Sequence, residues 1–401
     1  MTRATLLREN VIHLGGIMHI NEIDLYYKTR ESLSEMISWP KGEPEMTPFE
    51  SAFLCGVLRK FTPNKILEVG VAAGGTSAII SSCMSELCSD FQLHSIDYYE
   101  QFYRDDTKKT GYLGIETDKK LMNQYQYVHK YWYGNVACSF IDEIGGDIDC
   151  LILDTVHSLP GEILDFLTLL PYLKNGCVLI LHDLVYNHYE QFNLKQAYSN
   201  ILLFSTIKGE KYINFDDSRK MGMPSIGAVV IDDVTREAIG DVFMALLVTW
   251  RYMPTSNQLQ VYREYVRENY AEELCRIFDA SIELNEADII VKNQMYEFPF
   301  YYLPPKCRII LYGAGVVGQA FIMQIKKKEG IKVIRWIDAD ADNMGIFGID
   351  NIDVIKDIMP EEYDYIVIAI DNKDLASNIE SDLEKMGVNR DKIYWKNPRI
   401  G

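Results

Sequence analysis

Twice in this sequence an apolar strand runs straight into a glycine-rich turn that opens a helix. The first instance is KILEVGVAAGGTSAIISSCMSEL from Lys65, and the second is CRIILYGAGVVGQAFIMQIKKK from Cys307. Such a turn sets bare backbone between a strand's carboxyl end and a helix N-terminus, the arrangement of an open α/β sheet. Between the two, apolar runs at Leu93 to Tyr99 (LHSIDYY), Asp149 to Asp154 (DCLILD) and Cys177 to Asp183 (CVLILHD) alternate with helical stretches. That alternation predicts a parallel sheet covered by helices on both faces. After Asp183 it stops. ILLFSTIKG from Ile201 and SIGAVVID from Ser225 read as an antiparallel pair around a polar stretch with Asp216, Asp217 and Gly222. From Val234 to about Ile290 the pattern is helical, and its aromatic stripe (Tyr252, Tyr262, Tyr265, Tyr270, Phe278) reads as packing. FPFYYLPPK then reads as a linker, because Pro299, Pro304 and Pro305 break regular structure.

The length of 401 residues suggests two or three domains. Lys and Arg number 40 against 58 Asp and Glu, a formal net charge of -18, which argues against a nucleic-acid partner. The excess of acid is 16 in residues 1–305 and only 2 from Lys306 onward, so the acidity belongs to the front of the chain. With 48% hydrophobic and 24% charged residues the composition is that of a globular protein. No uncharged apolar run approaches the roughly 20 residues of a membrane span, and the first residues lack a signal-peptide core. The expectation is a cytoplasmic protein without a membrane partner. The 8 cysteines are scattered singly, which gives neither a disulfide framework nor a zinc knuckle.

In the first loop, Gly70, Ala72, Gly74, Gly75, Thr76 and Ser77 let a ligand approach the backbone before the helix starts. The Lys-Ser/Thr ending of a phosphate-binding P-loop is missing, and Glu68 stands just before the glycines. A carboxylate there repels a pyrophosphate and suits an ammonium or sulfonium. Asp97 ends the next strand, where such folds place a carboxylate for ribose hydroxyls. Together these residues specify an adenosine with a positively charged tail. The ends of the following strands supply Asp154, His157, His182 and Asp183. An imidazole can accept a proton near neutral pH, so His157 or His182 is the candidate base. Asp154 and Asp183 could alternatively hold a hard divalent cation such as Mg²⁺.

ILEVGVAAGGTS followed by SIDYY resembles the S-adenosylmethionine site of the class I methyltransferases. LILDTVHSLPGEILDFLTLLPYLKNGCVLILHD resembles their catechol and macrocin O-methyltransferase-like branch. The resemblance covers roughly Thr47 to Asp232 and implies a Rossmann-like α/β domain. It implies that Glu68 serves the methionyl ammonium, that Gly70, Ala72 and Gly74 line the tail, and that Asp97 holds the ribose. Tyr98 would flank the adenine, with Asn135 and Val136 at its edge and face. Catechol-type relatives bind magnesium through an Asp and a following Asp-Asn pair; this chain has Asp183-Leu184 at the pair, with Asn187 and His188 nearby.

The second loop has Gly313, Gly315 and Gly318 at dinucleotide-fingerprint spacing, and Asp338 follows Gly318 by 20 residues. This part resembles the small Rossmann-like domains appended to bacterial sugar-modifying enzymes, which implies a nucleotide, NAD or a nucleotide sugar as ligand. A ligand-free docking or dimerisation module, and hence a homo-oligomer, stays open. The expected organisation is a helical cover over 1–46, a methyltransferase domain over 47–233, a helical extension and linker over 234–304, and a second, smaller Rossmann-like domain over 305–401. The expected activity is O-methylation of a hydroxyl on a sugar, glycan precursor or related small molecule. An NAD-dependent nucleotide-sugar oxidoreductase and a non-catalytic nucleotide-binding protein are the alternatives.

Overall fold

A computed structural model of the chain describes residues 18–39, 46–88, 90–188, 197–214, 225–327, 330–339, 352–353 and 363–399. The chain divides into two compact units, Met1–Ser281 and Ile282–Gly401, each with its own main sheet.

The strands of the first unit's main sheet are β1 (Met18–His19), β2 (Lys65–Val69), β3 (Gln92–Asp97), β4 (Val128–Tyr133), β5 (Ile148–Leu153), β6 (Leu173–Leu181), β7 (Lys211–Ile213) and β8 (Gly227–Val230). They lie in the order β1-β7-β8-β6-β5-β2-β3-β4. Strands β6, β5, β2, β3 and β4 are parallel, while β8 runs antiparallel to both β6 and β7. The short β1 pairs in parallel with β7 at the edge. Central parallel strands are buried on both faces, and Ile66, Leu67, Leu151, Ile152, Leu153, Val178 and Leu179 are all fully buried, which is why they read as unbroken apolar runs.

Helices α1 (Ile23–Met36), α2 (Pro48–Phe61), α3 (Gly75–Leu87), α4 (Tyr112–Leu121), α5 (Gly161–Leu169) and α6 (Ser199–Thr206) belong to this unit. A capping box starts α2: Thr47 Oγ1 accepts from the Glu50 amide at 3.3 Å, and the Glu50 carboxylate accepts from the Thr47 amide at 2.7 Å. The run from Ile201, read from sequence as a strand, is helical instead. Leu203 and Phe204 bury one side of α6, and the Ser205 and Thr206 hydroxyls donate back to the carbonyls of Ile201 and Leu202. Over so few apolar residues the periods of strand and helix do not separate. On the side away from β6, β8 pairs antiparallel with β7, three residues long. Asp216, Asp217 and Gly222 lie outside the described residues.

Helices α7 (Ser256–Asn269) and α8 (Glu272–Gln294) follow. In the aromatic stripe Tyr262 and Phe278 are buried, Tyr265 donates to Asp142, and Tyr270 donates to the Leu167 carbonyl.

In the second unit β9 (Arg308–Tyr312), β10 (Lys332–Ile337), β11 (Ile352–Asp353), β12 (Tyr365–Ile368) and β13 (Ile393–Tyr394) form an all-parallel sheet in the order β11-β10-β9-β12-β13. Helices α9 (Val316–Lys327) and α10 (Lys373–Lys385) accompany it. Phe298, in the proline-containing segment, is fully buried and packs edge-on to Phe321 at 5.1 Å. Among the described residues no helix is long and apolar enough to cross a membrane.

Candidate active site

The first glycine turn has little freedom. Gly70 and Gly74 take φ of 93° and 84°, in the left-handed region where a side chain is strained. A Cβ at Gly70 would lie 1.9 Å from the Asp154 carbonyl oxygen, and one at Gly74 would lie 2.7 Å from Gly111 Cα. Ala72 tolerates φ 48° between them. Asp97 braces the turn, its Oδ2 accepting from the amides of Val71 at 2.9 Å and Ala72 at 3.1 Å while Oδ1 accepts from Tyr99. The residue read as a ribose partner is therefore also what shapes the loop. Gly75, Thr76 and Ser77 open α3. Tyr98 is exposed, and its carbonyl accepts from the Gly134 amide, which brings it beside Asn135 and the nearly buried Val136.

Glu68 is fully buried at the end of β2. One carboxylate oxygen, Oε2, accepts from the Ser77 hydroxyl at 2.6 Å and the Ser95 hydroxyl at 2.5 Å. The other, Oε1, has no hydrogen-bond partner among the described residues. Burial pushes its pKa up to about 7, against the pull of the two hydroxyls. A buried carboxylate oxygen without a donor, beside backbone that admits no side chain, fits a ligand with a cationic end such as S-adenosylmethionine.

Behind this turn lies a polar layer that the sequence did not flag. His129 on β4 places Nε2 2.8 Å from Ser95 Oγ and Nδ1 2.8 Å from Asp118 Oδ2. Asp118 on α4 also accepts from Ser81, Tyr127 and Tyr131. The Tyr131 ring stacks on His129 and fills the space that a Cβ at Gly111 would need.

The ends of β5 and β6 bring Asp154, His157, His182 and Asp183 together. His182 Nδ1 lies 3.2 Å from Asp154 Oδ1 and 3.6 Å from Asp183 Oδ2. His157 Nε2 lies 3.8 Å from Asp154 Oδ1 and 3.6 Å from Asp183 Oδ2. Non-glycine residues in left-handed conformation carry two of the four, with φ 54° at His157 and 53° at Asp183. Three further residues complete the cluster. Glu50, at the start of α2, sits 3.6 Å from His182 Nε2. Glu162, fully buried on α5, accepts from the His157 amide and lies 3.6 Å from its Nδ1. Asn200 on α6 donates to the His182 carbonyl at 2.6 Å and lies 3.3 Å from His157 Nδ1.

Electrostatics separates the two histidines. Burial lowers the basicity of His182, but the Asp154 and Asp183 carboxylates outweigh it and hold the imidazole well above its ordinary pKa. Burial likewise opposes ionisation of Asp154, yet the adjacent His182 and His157 hold it below the usual carboxylate value. At Asp183 burial wins and the pKa is raised. His157 is the more open imidazole, its side chain 16% exposed against 5% for His182. Asp154, His182 and Asp183 each offer one ligand atom, all within 4.8 Å of one another, so the donor set also suits a metal ion. Asn187 and His188 lie on a short 3-10 turn and are outside that set.

In the second unit Gly313 has φ 106°, and a Cβ at Gly318 would lie 2.0 Å from the Gly313 carbonyl oxygen. Asp338 Oδ2 accepts from the Ala314 amide at 2.6 Å, and the Trp336 indole donates to the Gly313 carbonyl at 2.8 Å. Gly315 differs. A Cβ there meets nothing within 4 Å among the described residues, so the chain's own packing does not require a glycine.

Residues 67–184 match a family model described as a methyltransferase domain. Residues 305–394 match one described as C2185-like, N-terminal. Among curated proteins none matches the chain. Similar solved structures include an O-methyltransferase from Bacillus cereus in complex with SAH (12% identity, 52% of this chain and 90% of that one, TM-score 0.33). Another is the O-methyltransferase TomG from Streptomyces achromogenes, involved in tomaymycin synthesis, in complex with SAM (13%, 53% and 92%, TM-score 0.33). A third is the MycE methyltransferase of the mycinamycin pathway in complex with Mg, SAH and mycinamycin VI (14%, 52% and 55%, TM-score 0.32).

Proposed function

We propose that this S-adenosylmethionine-dependent methyltransferase delivers its methyl group to a hydroxyl of a small molecule, with a sugar or glycan precursor as the favoured class. One observation carries the reading: the Gly70 turn abuts the Asp154 carbonyl so closely that no side chain fits between them. The cofactor cradle and the polar cluster therefore form one site at adjacent strand ends, as in-line transfer between two bound molecules requires. Bound S-adenosylmethionine supplies an electrophilic methyl group on sulfur. Glu68, Gly70, Ala72, Gly74 and Asp97 would hold it, with Tyr98, Asn135 and Val136 around the base.

The chain's own residues do the rest. An acceptor hydroxyl must lose its proton as its oxygen attacks. His157, the more open imidazole, takes that proton, and Glu162 at its Nδ1 side orients the ring. His182 is held protonated between carboxylates and positions Asp154. Should a divalent cation serve here, Asp154 and Asp183 would hold it and lower the acceptor's pKa, with His182 giving up its proton first.

Calorimetry with S-adenosylhomocysteine tests the cofactor; absence of binding at millimolar ligand would sink the reading. Asp154→Ala and His157→Ala should keep that binding and lower kcat on the true acceptor by about 100-fold. Unaltered turnover would remove those roles.

The sugar rests on the second unit, whose parallel sheet with its glycine turn at β9 supports a nucleotide or nucleotide sugar as ligand. The lack of a described neighbour at Gly315 favours this: a glycine that the described packing does not require is what close approach of a phosphate would need.

A further inference from the structure

The layer behind the first glycine turn contains a fully buried histidine that the methyl-transfer chemistry does not use. His129 lies on β4 beside β3, its side chain 0% exposed, one ring nitrogen toward Ser95 and the other toward Asp118. Nε2 is hydrogen-bonded to the Ser95 hydroxyl, while Nδ1 lies 2.8 Å from Asp118 Oδ2 as a close polar contact without hydrogen-bond geometry. The Ser95 hydroxyl donates to Glu68 Oε2, so its oxygen accepts from His129 Nε2. That assignment makes the ring a donor on the Ser95 side and leaves Nδ1 to face Asp118. Asp118 is itself fixed by hydroxyls from Ser81, Tyr127 and Tyr131, coming from α3 and from the chain leading into and along β4. A continuous polar line therefore runs from Asp118 through His129 and Ser95 to Glu68. Its last atom is a carboxylate whose second oxygen has no partner of its own.

We propose that His129 is a positioning residue for the cofactor: acting through Ser95, it holds Glu68 oriented and ionisable, so that Glu68 can receive the cationic amino-acid end of S-adenosylmethionine. This rests on the cofactor reading above. Burial foremost, and then Asp154 at the end of β5 and Asp97 on β3 as like charges, oppose ionisation of a carboxylate in this place. Ser77 from α3 and Ser95 from β3 are the donors that oppose this, and the Tyr131 phenol on β4 adds no positive charge. A donor histidine behind Ser95 commits that hydroxyl's proton to Glu68 instead of leaving it free to rotate. The same residue ties Glu68 to the tyrosine that packs under Gly111, and Gly111 in turn backs Gly74. Carboxylate and glycine turn are thus referenced to one support.

The test is calorimetry of the full-length protein with S-adenosylhomocysteine over a pH series, comparing wild type with His129→Leu, His129→Gln and Ser95→Ala. Wild-type affinity should fall as pH drops through the protonation of Glu68. In His129→Leu and Ser95→Ala the affinity should fall about tenfold, the size expected of a hydrogen bond to a charged group, and the pH midpoint should move upward. His129→Gln, which keeps a donor toward Ser95, should recover part of both. Should the leucine variant fail to fold, Ser95→Ala cuts the same line with a small change of volume. Wild-type-like affinity and midpoint in both variants overturn the proposal. So does lost affinity with an unmoved midpoint, which is what a merely structural role produces. Failure of the wild type to bind at all would instead refute the cofactor reading.

Discussion

Gly74 and Gly315 each stand directly before the helix that their turn opens, yet they are glycine for different reasons. Gly74 combines φ 84° with a backbone neighbour that a Cβ would strike, so both conformation and space exclude a side chain. Gly74→Ala should cost about 2 kcal/mol or more of stability and weaken S-adenosylhomocysteine binding, read by thermal denaturation and calorimetry. Gly315→Ala should leave Tm within about 2 °C of the wild type, since the added methyl meets nothing within 4 Å among the described residues. At this scale much of the site was readable: Glu68, the glycines, Asp154, His157, His182 and Asp183 announce themselves by type and by position after apolar runs. The second role of Asp97 was not readable, because a hydrogen bond to the Val71 and Ala72 amides depends on loop shape and leaves no mark on spacing.

Secondary-structure elements decide which of these residues meet. The ends of β5 and β6 were legible because buried parallel strands are written as unbroken apolar runs. Glu50 was not, since it belongs to a helix start about 100 residues from Asp154, and its spacing from Thr47 reads simply as a cap. His129 was hidden in the same way, in an edge strand whose polar and aromatic alternation resembles ordinary surface. Helix α5 carries two carboxylates into the interior, Glu162 toward His157 and Asp165 toward the Tyr262 hydroxyl at 3.4 Å. Burial, with the neighbouring Glu162, pushes Asp165 up to about 7. The folded state then binds more protons than the unfolded chain between about pH 4 and pH 7. Stability from this group is full below about pH 4 and lost as pH rises through about 7. Asp165→Asn, which keeps an acceptor toward Tyr262, should therefore raise Tm relative to the wild type at about pH 8 and match it at about pH 4. Equal Tm at both would show that Asp165 is not buried as a neutral group.

For the whole molecule, the two units separate by chemistry as well as by packing. Residues 1–305 carry nearly all the acid excess, and the methyltransferase domain lies within them; from Lys306 onward the chain is close to neutral and has a parallel sheet with its own glycine turn. Thermal unfolding of the full chain with NAD and with UDP-sugars should show a rise in Tm with one of them, and the rise should be lost in Gly315→Ala. No shift with any nucleotide would favour a docking role for the second unit. Reduction of NAD with candidate sugars, followed by nicotinamide absorbance, would favour the oxidoreductase alternative.

The left-handed backbone at His157 and Asp183 restricts what evolution or an experimenter can place there. Branched and bulky side chains are strained at φ near 54°, which leaves a short alphabet of Gly, Asn, Asp and His. Within that alphabet Asp183→Asn changes charge while keeping shape, whereas Asp183→Ala alters both charge and backbone preference. Two loops that must hold opposing groups a few ångströms apart thus admit few spellings, and a change at one narrows the changes tolerated at the other.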